Sequence, residues 1–234
     1  AADAENSYRN NAFFIKQAYA IPLQPVTDYD FSLADLSAIY VGHIFEYNAW
    51  SKLYTDHYAE FTNDRGSIGE DGEFAPTKDT YYKDWYISPL ESRDSIRERV
   101  VSNRFFVEAQ PWDRNGAVGR LGGGIGIDMY AYSQFAFEDY LTGKQGKDKR
   151  TAWYAYGAIS GKVKKIADWG ADLKYYPSGY RSGDFAINAH IALTARFRGH
   201  PVILSGRFSQ TRTSPSYWEE NLFSNHYVWF NSFK

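Results

Sequence analysis

Residues 121–137 read LGGGIGIDMYAYSQFAF, and their alternation decides the fold. Leu121, Gly123, Ile125, Ile127, Met129, Ala131, Phe135 and Phe137 share one parity. Arg120, Gly122, Gly124, Gly126, Asp128, Tyr130, Tyr132 and Gln134 share the other. A period of two sends the sets to opposite faces of a strand, and no helical face collects them. Residues 185–198, FAINAHIALTARFR, repeat the pattern, with an apolar parity opposite Asn188, His190, Thr194, Arg196 and Arg198.

The same alternation runs through residues 39–48, 153–164 and 202–209, and more weakly through 13–23, 79–88, 100–108, 171–176 and 217–233. This predicts roughly eight to twelve strands, with ten as the central expectation. Residues 168–170 and 198–201 read as tight hairpin turns. Residues 62–78, 111–119, 138–150 and 176–184 read as long polar loops, and 33–39 and 92–99 hold at most a turn or two of helix. The chain reads as one all-β, antiparallel domain over residues 1–234.

Alternation alone does not say which solvent meets the apolar face, because a soluble sandwich alternates too. Mean hydropathy is -0.54, yet aromatic residues make up 18% of the 234. Disordered chains lack that apolar mass. The longest stretch free of Asp, Glu, Lys and Arg is residues 221–233, too short for a membrane helix of about 18 apolar residues. Without Cys there is no disulfide scaffold, thiol chemistry or Cys metal site, and a formal charge of -2 argues against nucleic acid as a partner. Residues 1–11 show no signal-peptide pattern, so an exported protein is expected to be a mature form. Apolar faces of five to seven residues at about 3.3 Å each match a tilted span of a ~25 Å hydrocarbon band. Rings at strand ends, namely Trp50, Tyr54, Trp153, Trp169, Tyr217, Trp218 and Trp229, make a candidate interfacial girdle. The expected class is an antiparallel transmembrane β-barrel, because in lipid only closure satisfies the backbone of a sheet.

The C-terminal third adds motifs. Trp169-Gly170-Ala171-Asp172, then SGYRSGDFAIN at 178–188, then Ser214-Pro215-Ser216-Tyr217-Trp218, and Ser224-Asn225-His226-Tyr227-Val228-Trp229-Phe230-Asn231 follow in order. Arg93-Asp94-Ser95-Ile96 and Ser102-Asn103-Arg104-Phe105 join them. The chain resembles the putative porin family of Bacteroidota outer membranes through these strings, over roughly residues 80–234. The resemblance implies an outer-membrane barrel with solute passage, and further staves beyond the SNHY string. A fragment of a larger barrel and a shorter relative with fewer strands both stay open, the ring-rich ending at Tyr227, Trp229 and Phe233 being a possible terminal strand.

No reaction and no cofactor are assigned. The five His residues show no metal-ligand spacing, and a hydrogen-bonded role is expected for His190 and His226. Gly122-Gly123-Gly124-Ile125-Gly126 is no phosphate loop, since a strand continues from it; these glycines make room for a curved wall or a ring packed across them. Gly69-Glu70-Asp71-Gly72-Glu73 reads as a solvated loop. The candidate lumen lining is Arg120, Asp128, Lys162, Lys164, Lys174, His190, Arg196, Arg198 and Arg207, with Asp172, mildly favouring anions. Three functions follow: a porin-like passive channel for small solutes, a non-conducting barrel serving an envelope secretion or uptake complex, and, least expected, a barrel-embedded lipid-modifying enzyme. Expected partners are outer-membrane lipid, envelope proteins and any conducted solutes, in the bacterial outer membrane.

Overall fold

The strongly alternating runs become long strands, and consecutive long strands pair as a meander. The computed structural model describes residues 4–23, 37–57, 66–68, 70–72, 74–76, 85–88, 91–110, 118–138, 145–164, 166–198 and 200–233. In chain order the elements are β1 (Glu5–Pro22), β2 (Ala38–His57), β3 (Gly66–Ile68), β4 (Phe74–Pro76), β5 (Glu91–Gln110), β6 (Arg120–Glu138), β7 (Gln145–Val163), β8 (Ala167–Gly179), β9 (Phe185–Phe197) and β10 (His200–Arg212). A short helix α1 (Tyr217–Glu220), then β11 (Asn221–Phe223) and β12 (Val228–Phe230), complete the chain. One antiparallel sheet of eight strands has the order β1-β2-β5-β6-β7-β8-β9-β10. That is the low end of the expected range, and the edges at β1 and β10 do not pair with each other. β3 and β4 form a small hairpin of their own inside the expected 62–78 loop.

The faces are inverted relative to a water-soluble sheet. Ile125 and Phe105 are each 60% exposed, whereas Asp128 and Tyr132 of the opposite parity are 5% and 4% exposed. Apolar side chains point out of the wall, and tyrosines and charges line its inner face. Gly126 shows why the wall permits this: a Cβ there would collide with the Tyr154 ring, which lies across the glycine.

The outward face carries a band free of charge. Following the register from β1 to β7, one row holds Phe13, Tyr47, Val101, Met129 and Thr151, and the next holds Ile15, Phe45, Asn103, Ile127 and Trp153. Then come Gln17, His43, Phe105, Ile125 and Ala155, followed by Tyr19, Val41, Val107, Gly123 and Gly157, and by Ile21, Ile39, Ala109, Leu121 and Ile159. No Asp, Glu, Lys or Arg occurs in these rows. Two of their polar groups satisfy each other: His43 Nε2 and Asn103 Oδ1 lie 3.3 Å apart. Five outward residues per strand, nine along the chain, give a tilted height of about 25 Å, the thickness of a barrel's apolar girdle.

Several boundaries differ from the sequence reading. Residues 168–170 lie inside β8, and the turn falls at 164–166, with Lys164 at φ 53. Gly170 had suggested a turn, but it lies under the His190 ring. The expected 138–150 and 176–184 loops shrink because β6 reaches Glu138, β7 starts at Gln145 and β8 reaches Gly179. Their charged residues alternate faces, which a polarity count does not register. Residues 92–99 are strand, not helix, and 217–233 form a helical turn and two short strands, so no terminal stave forms there. The ends of β5 and β7 and the starts of β6 and β8 share one rim, with Gln110 and Arg120 on the side of Lys164 and Ile166. Residues 33–36 and 79–84 lie outside the described residues, and residues 85–88 form no strand. Among the described residues no helix is long and apolar enough to cross a membrane.

Candidate functional site: the inner face of the wall

Asp128 is the hub of the inner face. It is 5% exposed and accepts hydrogen bonds from Ser102 Oγ (2.6 Å), Tyr176 Oη (2.8 Å) and Tyr130 Oη (3.4 Å). Lys174 Nζ stands 3.7 Å from it and 3.8 Å above the Tyr154 ring. The carboxylate ties β5, β6 and β8 directly, and Lys174 extends the cluster to Tyr154 on β7. The neighbouring cation Arg104 lies over the Tyr156 ring at 5.0 Å and 3.7 Å from Glu46. Cations here are matched by acids and rings.

Towards the opposite rim, Arg120 pairs with Glu108 at 2.6 Å and Lys162 with Asp168 at 3.5 Å. His190 Nε2 is 3.5 Å from Asp168, and Asp172 accepts Asn188 Nδ2 at 2.9 Å. A depression of about 200 Å³ lies between Phe106, Glu108, Arg120, Tyr156, Asp172 and His190. Arg196 and Arg207 sit on the inner parity of β9 and β10, exposed and without a carboxylate partner among the described residues. Lys164 and Arg198 do not line the wall: both occupy hairpin turns in the left-handed region, at φ 53 and φ 50. Alternation had extended the strands one residue too far at each.

Residues 213–231 fold onto the inner face at the rim where β6 ends and β7 begins. Tyr217 stacks on Tyr132 at 4.0 Å, and Trp218 Nε1 donates to Glu98 at 3.1 Å while its ring meets Trp50 edge-on at 5.9 Å. Arg150 reaches Glu220 at 2.9 Å from above the Tyr180 ring. Burial first, then the charge of Asp148, pushes the Tyr217 hydroxyl above the usual tyrosine range. Asn225, 1% exposed, closes the clasp. Its Oδ1 accepts from the Ile87 and Ser88 amides (3.0 and 2.9 Å), and its Nδ2 donates to the Ser88 and Glu91 carbonyls (2.8 and 3.1 Å). Its own amide donates to Asp94 at 2.8 Å. A buried polar side chain this fully satisfied holds one geometry.

The family described as Putative porin matches residues 1–234, the whole chain. The chain belongs to the Putative porin family. Neither the curated proteins nor the solved structures contain a match to it.

In this porin-family chain the strings at 214–218 and 224–231 are parts of one clasp, while Trp169–Asp172 and Phe185–Asn188 lie in the staves β8 and β9. Gly179 and Gly183, at φ +89 and +91, make the β8–β9 turn, and Asp184 Oδ1 accepts from the Ser214 amide and hydroxyl at 2.8 and 2.7 Å. The SNH string docks on Ser88 to Asp94. His226 Nε2 lies 2.9 Å from Ser92 Oγ, the hydrogen-bonded role expected of it. With Asp94 nearby this has the residue types of a hydrolytic triad. Ser92 is nevertheless 1% exposed and its Oγ also accepts Asn225 Nδ2, so no substrate reaches it. Among the described residues no group of three His, Asp or Glu is placed to hold a metal.

Of the rings expected at the lipid interface, Trp153 and Trp169 take the outward parity near opposite rims. Trp50 and Tyr54 share the inward parity of Glu46, and Tyr217, Trp218 and Trp229 lie in the clasp, Trp229 Nε1 donating to the Trp218 carbonyl. A ring at a strand end says nothing of its side until parity is fixed. Sequence reasoning missed Glu46, Glu98, Arg104, Glu108, Arg150 and Asn225. The parity of residues 98–110 would have found three of them.

Proposed function

We propose that the protein is an outer-membrane barrel wall that passes small solutes passively. The charge-free outward band carries this reading: five rows of side chains without an ion, backed by a face of paired charges and tyrosines, suit acyl chains on one side and water on the other. No reaction is part of it. The inner cations of β5 to β8 are paired, whereas Lys16, Lys52, Arg196 and Arg207 have no carboxylate partner among the described residues and support a mild preference for anions. The test is swelling of liposomes holding the full-length protein: entry of small sugars supports a channel, and impermeant vesicles overturn it. A reversal potential of clear cation preference removes the anion reading.

The second reading, a non-conducting barrel within an envelope complex, draws on the clasp, which fills the inner face at one rim. Asn225→Ala separates the two. If the clasp narrows a conducting pore, the variant raises the swelling rate; if the lumen is filled by the wall's own tyrosines, native and variant vesicles both stay impermeant.

A further inference from the structure

Immediately beyond the charge-free band, the outward face turns basic. The first row past it holds Asn11, Ala49, Arg99, Ala131 and Lys149, and the second holds Arg9, Ser51, Arg97, Ser133 and Lys147. All five cations are exposed, and none has a carboxylate partner among the described residues. This contrasts with the inner face of β5 to β8, where Arg104, Arg120, Arg150, Lys162 and Lys174 each have one. The nearest outward carboxylates, Glu5 and Glu91, lie further from the band. Solubility alone would be served by mixed signs.

We propose that Arg9, Arg97, Arg99, Lys147 and Lys149 form a collar that binds the phosphates of anionic lipid headgroups around the barrel. The inference rests on the membrane-barrel reading. A side chain one or two rows beyond the hydrocarbon edge reaches headgroup depth, where each Lys or Arg gains from a phosphate-bearing surface. Arginine adds paired donors that match phosphate oxygens, and the spacing across β5 and β7 offers two headgroups separate seats.

The test compares the full-length protein with a variant carrying Arg97→Gln, Arg99→Gln, Lys147→Gln and Lys149→Gln. Both are reconstituted into vesicles of phosphatidylcholine with a minor share of phosphatidylglycerol, and the lipid retained after mild detergent extraction is analysed. The native protein is expected to retain phosphatidylglycerol over its bulk proportion, and the variant to lose that preference by on the order of tenfold. High salt weakens the native preference. Insertion of both proteins with equal enrichment overturns the collar and leaves the barrel standing. Failure of both to insert into these vesicles or into vesicles of phosphatidylcholine alone overturns the barrel reading itself. Displacement of the retained lipid by millimolar inorganic phosphate assigns the collar to free anions and overturns the lipid proposal.

Discussion

Strands β5 to β8 and strands β9 to β10 have the same outward face and very different inner ones. In the first region Asp128, Lys174 and five tyrosines interlock, and residues 213–231 pack on top. In the second, every residue of β10 is exposed, and Arg207 and Ser209 face open space beyond their cross-strand neighbours His190 and Asn188. The difference separates two sources of order. Outward alternation suits any stave that lipid covers, whereas a lined inner face needs contributions from distant parts of the chain. Lipid also leaves no backbone group unpaired, so the free edges of β1 and β10 require partner strands in a membrane.

The largest test asks whether the two regions share one solvent. Ile125→Lys and Ile187→Lys, both outward and inside the charge-free band, should each cost about 2–4 kcal/mol, read by urea denaturation of vesicle-inserted protein. A negligible cost at Ile187 alone would show that β9 does not face acyl chains. Next, Asp128→Ala should cost about 3 kcal/mol by leaving buried hydroxyls and Lys174 without their acceptor, while Arg207→Ala should stay within about 0.5 kcal/mol. Equal effects would erase the distinction between the regions.

A smaller contrast uses glycine. Gly126→Ala drives a methyl into the Tyr154 ring and should cost about 1–3 kcal/mol, whereas Gly206→Ala in β10 meets only Ile191 Cγ2 at 3.7 Å and should be neutral or mildly stabilising. The smallest effect lies at the helix start of the clasp. Glu219 Oε2 accepts from the Ser216 amide at 2.6 Å, and that bond with the Ser216 side chain holds the carboxyl below the usual glutamate range. A lowered folded value means the cap is fully present above the ordinary glutamate value of about 4.3 and is lost as pH falls through the folded one. Tryptophan fluorescence from Trp218 should therefore stay constant down to the ordinary value and change below it. A change centred near neutrality would point to another group.

Legibility followed the range of the interaction. Parity within residues 121–134, 153–164 and 185–197 was readable because it is local geometry, and it placed Asp128, Tyr130, Tyr132, Tyr154 and Tyr156 inward. The role of the SNH string was not readable, because Asn225 meets its partners 131 to 138 residues away. Charge balance failed for a similar reason: the basic lining was visible in β6 to β10, but Glu46 and Glu108 answer it from β2 and β5, whose register had to be known first.

The amino-acid order by itself determined that there are long strands with one apolar side, since alternate residues of an extended chain must point apart. Tertiary structure alone decided which side is enclosed, which cation meets which acid, and that the C-terminal motifs clasp a rim. Those outcomes depend on cross-strand register and on contacts between segments far apart in the chain, which no local pattern contains.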